Sequence, residues 1–179
     1  MRIIKKTGII LLAVALILLL AALFVKGEII IKQSIKINAP VSKVWTYTNS
    51  IRTINTWDPW FTKNENMLTK INGIDGRPGA QFCWESNTSA LNKGCLSIAT
   101  IKPQQEVDLD LSFYIPYPTS AKGHIQLEPQ DSLTKVTLSF YGKRPYPFRI
   151  MKIFGVVEKA VSNNFTEGLQ NLKQLCEKQ

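Results

Sequence analysis

The sequence predicts an α+β fold: a curved antiparallel β-sheet wrapped around a long carboxy-terminal helix, preceded by one amino-terminal transmembrane helix. Three observations carry that reading. Residues Gly8–Val25 run for eighteen positions without a charge or a proline. From residue 81 to residue 142, short segments alternate apolar with polar side chains between Asx, Pro and Gly breaks, the pattern of an antiparallel meander. The last stretch, Ile150–Glu177, repeats apolar residues at helical spacing. A sheet with one wet face must bury the other, and this last helix is the only large apolar partner on offer.

Composition separates the two parts. The 179 residues carry a net charge of +9, but Arg2, Lys5, Lys6 and Lys26 lie in the first 27 residues with no acid among them. The remainder is a moderately basic chain of ordinary apolar content, long enough for one domain and too short for a multidomain enzyme. The apolar run spans roughly 27 Å as a helix, close to the hydrocarbon thickness of a bilayer. It exceeds the usual apolar core of a cleaved signal, and Ala21–Gly27 offers a poor cleavage site, so residues 1–27 are read as an uncleaved anchor and residues 28–179 as the domain. The cations before the run favour a cytoplasmic amino terminus and an extracytoplasmic domain; Lys26, Lys32 and Lys36 behind it pull the other way.

The elements follow in order. Glu28–Asn38 alternates and is rich in β-branched residues, so it is a first strand ended by Pro40. Helices are expected after Pro40, with Val44, Trp45 and Thr48 near one face, and over Ser50–Trp57, broken by Asp58-Pro59. Met67–Asn72 is a weak strand. Gln81–Ser86, Gly94–Lys102, Gln105–Phe113, Ser120–Glu128 and Leu133–Gly142 are strands with one buried face. The helix Ile150–Glu177 carries the stripe Ile153, Val156, Val157, Ala160, Val161, Phe165, Leu169, Leu172 and Leu175.

Particular motifs then narrow the fold. Ile37-Asn38-Ala39-Pro40 before Val44-Trp45, the turn Trp57-Asp58-Pro59-Trp60, and Pro78-Gly79-Ala80-Gln81-Phe82-Cys83-Trp84-Glu85-Ser86-Asn87 stand in that order. Pro145-Tyr146-Pro147 and Phe165–Lys173 follow near the end. This set resembles the SRPBCC superfamily, the START-like and polyketide cyclase/dehydrase-like helix-grip proteins, in the form of a bacterial membrane-anchored member. Ser86 stands where the pattern has glycine. The resemblance covers about residues 30–177 and implies a helix-grip fold. It also implies a cavity between sheet and helix for an apolar small molecule or lipid, since many members bind or carry such molecules and some catalyse cyclisation or dehydration.

Alternation points Phe82, Trp84, Ile98, Leu111, Phe113, Leu138 and Phe140 inward, with Trp57, Trp60, Met151 and Phe165 at the mouth or wall. These eleven are the candidate ligand-binding residues, and they line a pocket or fill a core. No catalytic set stands out. His124 is the only histidine and falls on the wet face, so no His-based dyad or multi-His metal site is expected. Asp108 and Asp110 face outward; Asp58, ahead of Pro59, reads as a turn cap, and Glu85 alternates away from Trp84. A hairpin centred on Ser89 would oppose Cys83 and Cys95 on the outward face, within reach of a disulfide. The three cysteines have no zinc-like spacing, and no motif for a nucleotide or another cofactor is present. Lys143–Lys152 interleaves four cations with aromatics. It is a solvated loop or, next to an anchor, a contact for anionic lipid rather than for nucleic acid. The expected partners are therefore an apolar ligand and the membrane; oligomeric state is not legible.

Overall fold

The computed structural model describes residues 2–63, 67–86, 93–115 and 118–178. Helix α1 (Arg2–Phe24) leads, and its segment Lys6–Phe24 is long and apolar enough to cross a membrane. Nearly all of its described side chains are exposed, so it is not a core helix of the domain. Seven strands follow: β1 (Glu28–Ile37), β2 (Leu68–Asn72), β3 (Gln81–Glu85), β4 (Lys93–Lys102), β5 (Glu106–Phe113), β6 (Thr119–Gln130) and β7 (Leu133–Lys143). They form one antiparallel sheet in the order β1-β7-β6-β5-β4-β3-β2. Between β1 and β2 stand three short helices, α2 (Val41–Thr48), α3 (Ile51–Ile54) and α4 (Pro59–Thr62), and the chain closes with α5 (Val156–Glu177).

The strands lie where alternation placed them, within two residues at each end. Inward positions are buried along β7, with Thr134, Val136 and Leu138 at most 5% exposed. One irregularity intervenes: the β4–β5 register shifts between Ile98 and Thr100, and this bulge lets both Ile98 and Ile101 meet the core. Helix α5 lies along β1 and runs the same way. Gln33 Nε2 donates to Ser162 Oγ at 2.7 Å, Lys173 Nζ to the Lys36 carbonyl at 3.0 Å, and the Asn38 N–H to Glu177 Oε1 at 2.6 Å.

Two expectations about helices need correction. The terminal helix does not begin at Ile150. A 3-10 helix, Phe148–Phe154, comes first, and Gly155 at φ +59° separates it from α5. The first part of the expected stripe is also uncovered: Ile153 is 70% exposed, and Val156, Val157 and Ala160 are exposed although they lie in α5 itself, because the buried residues of that helix begin only at Gly168. At Asp58-Pro59 the helix does not simply stop. Proline is accommodated in the first turn of a helix, whose early N–H groups lack intrahelical partners, and the chain restarts as α4 with Asp58 as its cap.

The end of the sheet where Glu28 pairs with Lys143 is the end that α1 enters. The buried residues of α5 are Gly168, Leu169, Leu172 and Cys176, all in the half away from it.

Candidate functional site

The inner face of the sheet carries most of the candidate ligand-binding residues, and its aromatic wall follows from strand register. Phe82 pairs with Leu96 and Trp84 with Gly94, so both rings point inward. Phe82 and Trp84 stack at 6.4 Å between centroids, and Phe113 meets Trp84 edge-on at 5.9 Å. Gly94 makes room for this: a Cβ there would lie 2.5 Å from the Trp84 ring and 2.6 Å from the Ser112 carbonyl oxygen. Phe61 of α4 completes the wall, 5.1 Å from Phe82 and 6.2 Å from Trp84. Sequence reasoning missed Phe61. The signal that would have found it is the Asx cap plus first-turn proline, which start a turn of helix directly before it.

The Trp57-Asp58-Pro59 turn is a clamp on α5. The Trp57 indole N–H donates to the Tyr47 carbonyl at 2.8 Å, and Asn171 Nδ2 donates to the Trp57 carbonyl at 3.1 Å. Asn164 Nδ2 reaches Asp58 Oδ1 at 3.0 Å, the oxygen that also accepts from the Trp60 N–H at 2.9 Å. Asn164, Gly168 and Asn171 share one helix face, and a Cβ on Gly168 would come within 3.1 Å of the Pro59 ring. A glycine inside a helix costs about 1 kcal/mol against alanine, offset here by the close approach it permits. Burial of the Asp58 carboxyl raises it above its ordinary value of 3.8, against the lowering effect of those two hydrogen bonds.

The candidate residues divide by coverage. Trp57, Phe82, Trp84, Ile98, Phe113 and Leu138 are buried at 8% exposure or less. Trp60, Leu111, Phe140 and Phe165 are half-buried. Leu109 and Phe140 flank Gly123, and Ala121 stands between Leu111 and Gly142 across the strands. Small residues thus form a low floor between large apolar ones at the α1 end of the sheet, beyond the reach of the buried half of α5. Met151 lies apart, 48% exposed on the 3-10 helix.

The outer face holds a polar cluster around an open depression of about 360 Å³. Asp108 pairs with His124 in register, and His124 Nδ1 lies 2.7 Å from Asp108 Oδ1 with Glu106 3.9 Å from its Nε2. The Thr100 hydroxyl, and then His124, hold the Asp108 carboxyl below its ordinary value. Thr100 donates to the acid rather than to the histidine, so the three do not form a nucleophile, base and orienting acid. Among the described residues no three of His, Cys, Asp or Glu could hold a metal ion.

Cys83 and Cys95 are directly paired and joined as a disulfide, with Cα atoms 4.0 Å apart; Ser89, the expected hairpin centre, lies outside the described residues. Cys176 is buried against the core, which pushes its thiol up to about 11. Glu85 pairs with Lys93 on the surface. Of the basic stretch, Arg144 is not solvated: it is 5% exposed and its Nη2 lies 3.4 Å from Glu158.

Comparison with known proteins adds the following. A family model described as "Polyketide cyclase / dehydrase and lipid transport" matches residues 28–177. No curated protein matches the chain. Truncated norcoclaurine synthase from Thalictrum flavum is similar in structure, with a TM-score of 0.63 at 12% identity, covering 87% of this chain and 97% of that one. Protein CV1439 from Chromobacterium violaceum superposes with a TM-score of 0.60 at 15% identity over 84% of this chain and 99% of its own. The Aha1 dimer from Colwellia psychrerythraea gives a TM-score of 0.58 at 16% identity, covering 83% and 96%. Identities this low speak for a shared fold and no more.

Proposed function

The chain belongs to the polyketide cyclase / dehydrase and lipid transport family, and from that premise we propose that residues 28–179 bind an apolar small molecule or lipid on the inner face of the sheet, tethered to a membrane by residues 1–27. One observation carries the reading. The inner face is sealed where Gly168–Cys176 of α5 covers it, yet toward the end where α1 joins the sheet Leu111 and Phe140 stay half-covered beside Ala121, Gly123 and Gly142. Apolar surface left open in a concave sheet gains about 25 cal/mol per Å² when a ligand covers it. The long exposed α1 supports the tether, and the cations before its apolar run support a cytoplasmic amino terminus. The Cys83–Cys95 disulfide supports an oxidising, extracytoplasmic surrounding for the domain.

The test is native mass spectrometry of the full chain released from micelles after purification from membranes. We expect a retained apolar adduct, weakened about fivefold by Leu111→Asn, since half a leucine side chain is worth on the order of 1 kcal/mol. Leu68→Asn, on the exposed sheet edge, should leave it unchanged. No adduct, or equal retention by both variants, overturns the proposal.

A second reading, a cyclase- or dehydratase-like enzyme, has one observation in its favour. Asp58 carries a raised carboxyl beside the half-buried Trp60, and both of its hydrogen bonds end on Oδ1. Oδ2 is then the oxygen that would hold a proton for general-acid work.

A further inference from the structure

The linker between anchor and domain is not loose. The Arg144 N–H donates to the Gly27 carbonyl at 2.7 Å, and a Cβ on Gly27 would lie 2.5 Å from the Arg144 carbonyl oxygen. Lys152 Nζ donates to the carbonyls of Glu28 at 2.9 Å and Lys26 at 3.4 Å. Further up the anchor, the Tyr146 hydroxyl donates to the Leu19 carbonyl at 3.3 Å. Leu19 lies five residues inside the end of α1, about 7.5 Å along the helix axis from Phe24. If α1 spans a bilayer, that contact sets the depth of the whole turn: Tyr146 and the 3-10 helix behind it stand level with the last turns of the span.

The side chains at that level suit the position. Met151, Ile153, Phe154 and Val156 are 48%, 70%, 75% and 64% exposed, beside Phe24 at 88%. From Lys143 to Val157 there is no acidic residue, while Lys143, Arg149 and Lys152 are cationic and Lys26 and Lys159 flank them. Exposed apolar groups beside cations make the pattern of a segment lying in the headgroup and acyl boundary, where each cation near an anionic leaflet adds attraction.

We propose that the 3-10 helix Phe148–Phe154 and the first residues of α5 dock into the surface of the anionic bilayer that holds α1, seating the open end of the inner face against the lipid. This rests on the anchor reading above. It turns the tether into an oriented contact: the half-covered residues at the anchor end face the acyl phase, and an apolar ligand would pass between lipid and domain without crossing water.

The test uses the full chain reconstituted into vesicles of zwitterionic lipid, with and without anionic lipid, carrying bromines high on the acyl chains. Phe154→Trp and Ile153→Trp each add an indole at the proposed contact, and Ser132→Trp adds one at the β6–β7 turn at the other end of the sheet. Relative to the unsubstituted chain, the added emission of F154W and I153W should be blue-shifted and quenched by the brominated lipid, more so with anionic lipid, and that of S132W should not. Flotation after a carbonate wash reads the anchor separately. A chain that fails to float overturns anchor and docking together. One that floats while F154W and I153W go as unquenched as S132W overturns docking alone. Equal quenching in both lipid mixtures removes the anionic leaflet from the proposal.

Discussion

Asp58 shows how one side chain serves two demands. As the cap of α4 it supplies an acceptor to the Trp60 N–H, and as a contact of α5 it receives Asn164. Neither demand requires a charge, and burial makes the charge costly, which is why its carboxyl is raised. Between its ordinary value of 3.8 and the raised one, the native protein holds more proton than the unfolded chain. Stability therefore falls as pH climbs through that window and stays lower above it. Asparagine keeps the acceptor and drops the charge. We expect Asp58→Asn to be at least as stable as the parent at pH 7 and to lose that slope, while Asp58→Ala costs about 1 kcal/mol as a lost cap. Thermal unfolding of the full chain in micelles across pH 3–7 reads both. A D58N chain as weakened as D58A would show that the carboxylate itself is favourable. The same variant tests the enzyme reading, which needs the proton on Oδ2: turnover would vanish while the fold held.

At the scale of elements, the strands and the last helix were legible but the start of that helix was not, for reasons that differ. A strand with one wet face writes its burial into every second residue, so β5 and β7 could be placed to within a residue. The start of α5 is set by Gly155 in the left-handed region, and the stripe of apolar residues runs through that break without marking it. Alternation gives the face of Phe82 and Leu111 alike, but coverage is a long-range matter, settled by how far the buried half of α5 extends. Hence the candidate residues could be assigned to one face while their division into sealed and open could not. Arg144 is the other unreadable feature, because its partner lies fourteen residues on. Glu158, in the first turn of α5, holds it, and Nη1 and Oε1 of the pair are buried without hydrogen-bond partners among the described residues. The pair fastens the segment after β7 to α5. Removing Glu158 strands a guanidinium in the interior, so Glu158→Ala should cost about 2–3 kcal/mol, less than a fully buried pair because Glu158 keeps 26% exposure. Arg144→Met with Glu158→Leu should recover most of that. Urea unfolding of the three chains decides it, and a loss under about 1 kcal/mol for E158A would mean the pair holds little.

For the whole molecule, the proposed orientation across a membrane links α1 to the sheet. Cys83 and Cys95 lie on β3 and β4, far from α1 in the strand order, yet they report on the compartment the domain occupies. Disulfides are rare in a reducing cytosol and persist in oxidising compartments, so a Cys83–Cys95 bond argues for an extracytoplasmic domain. Arg2, Lys5 and Lys6 before the apolar run argue independently for the same topology, against Lys26, Lys32 and Lys36 after it. The two arguments can be separated by experiment. Whole cells are quenched in acid, their free thiols blocked, and disulfides then reduced and labelled with a mass tag. An extracytoplasmic domain should show two tagged thiols per chain. Cys176, whose burial raises its thiol to about 11, should be blocked only if the quench unfolds the protein, which sets an internal standard for complete denaturation. Replacing Arg2, Lys5 and Lys6 by glutamine should then invert part of the population and lower the tagged fraction, because the cations behind the run would dominate. If the parent chain instead carries no tag, the domain faces the cytoplasm, the cations after the run have set its orientation, and the inner face opens toward the opposite leaflet.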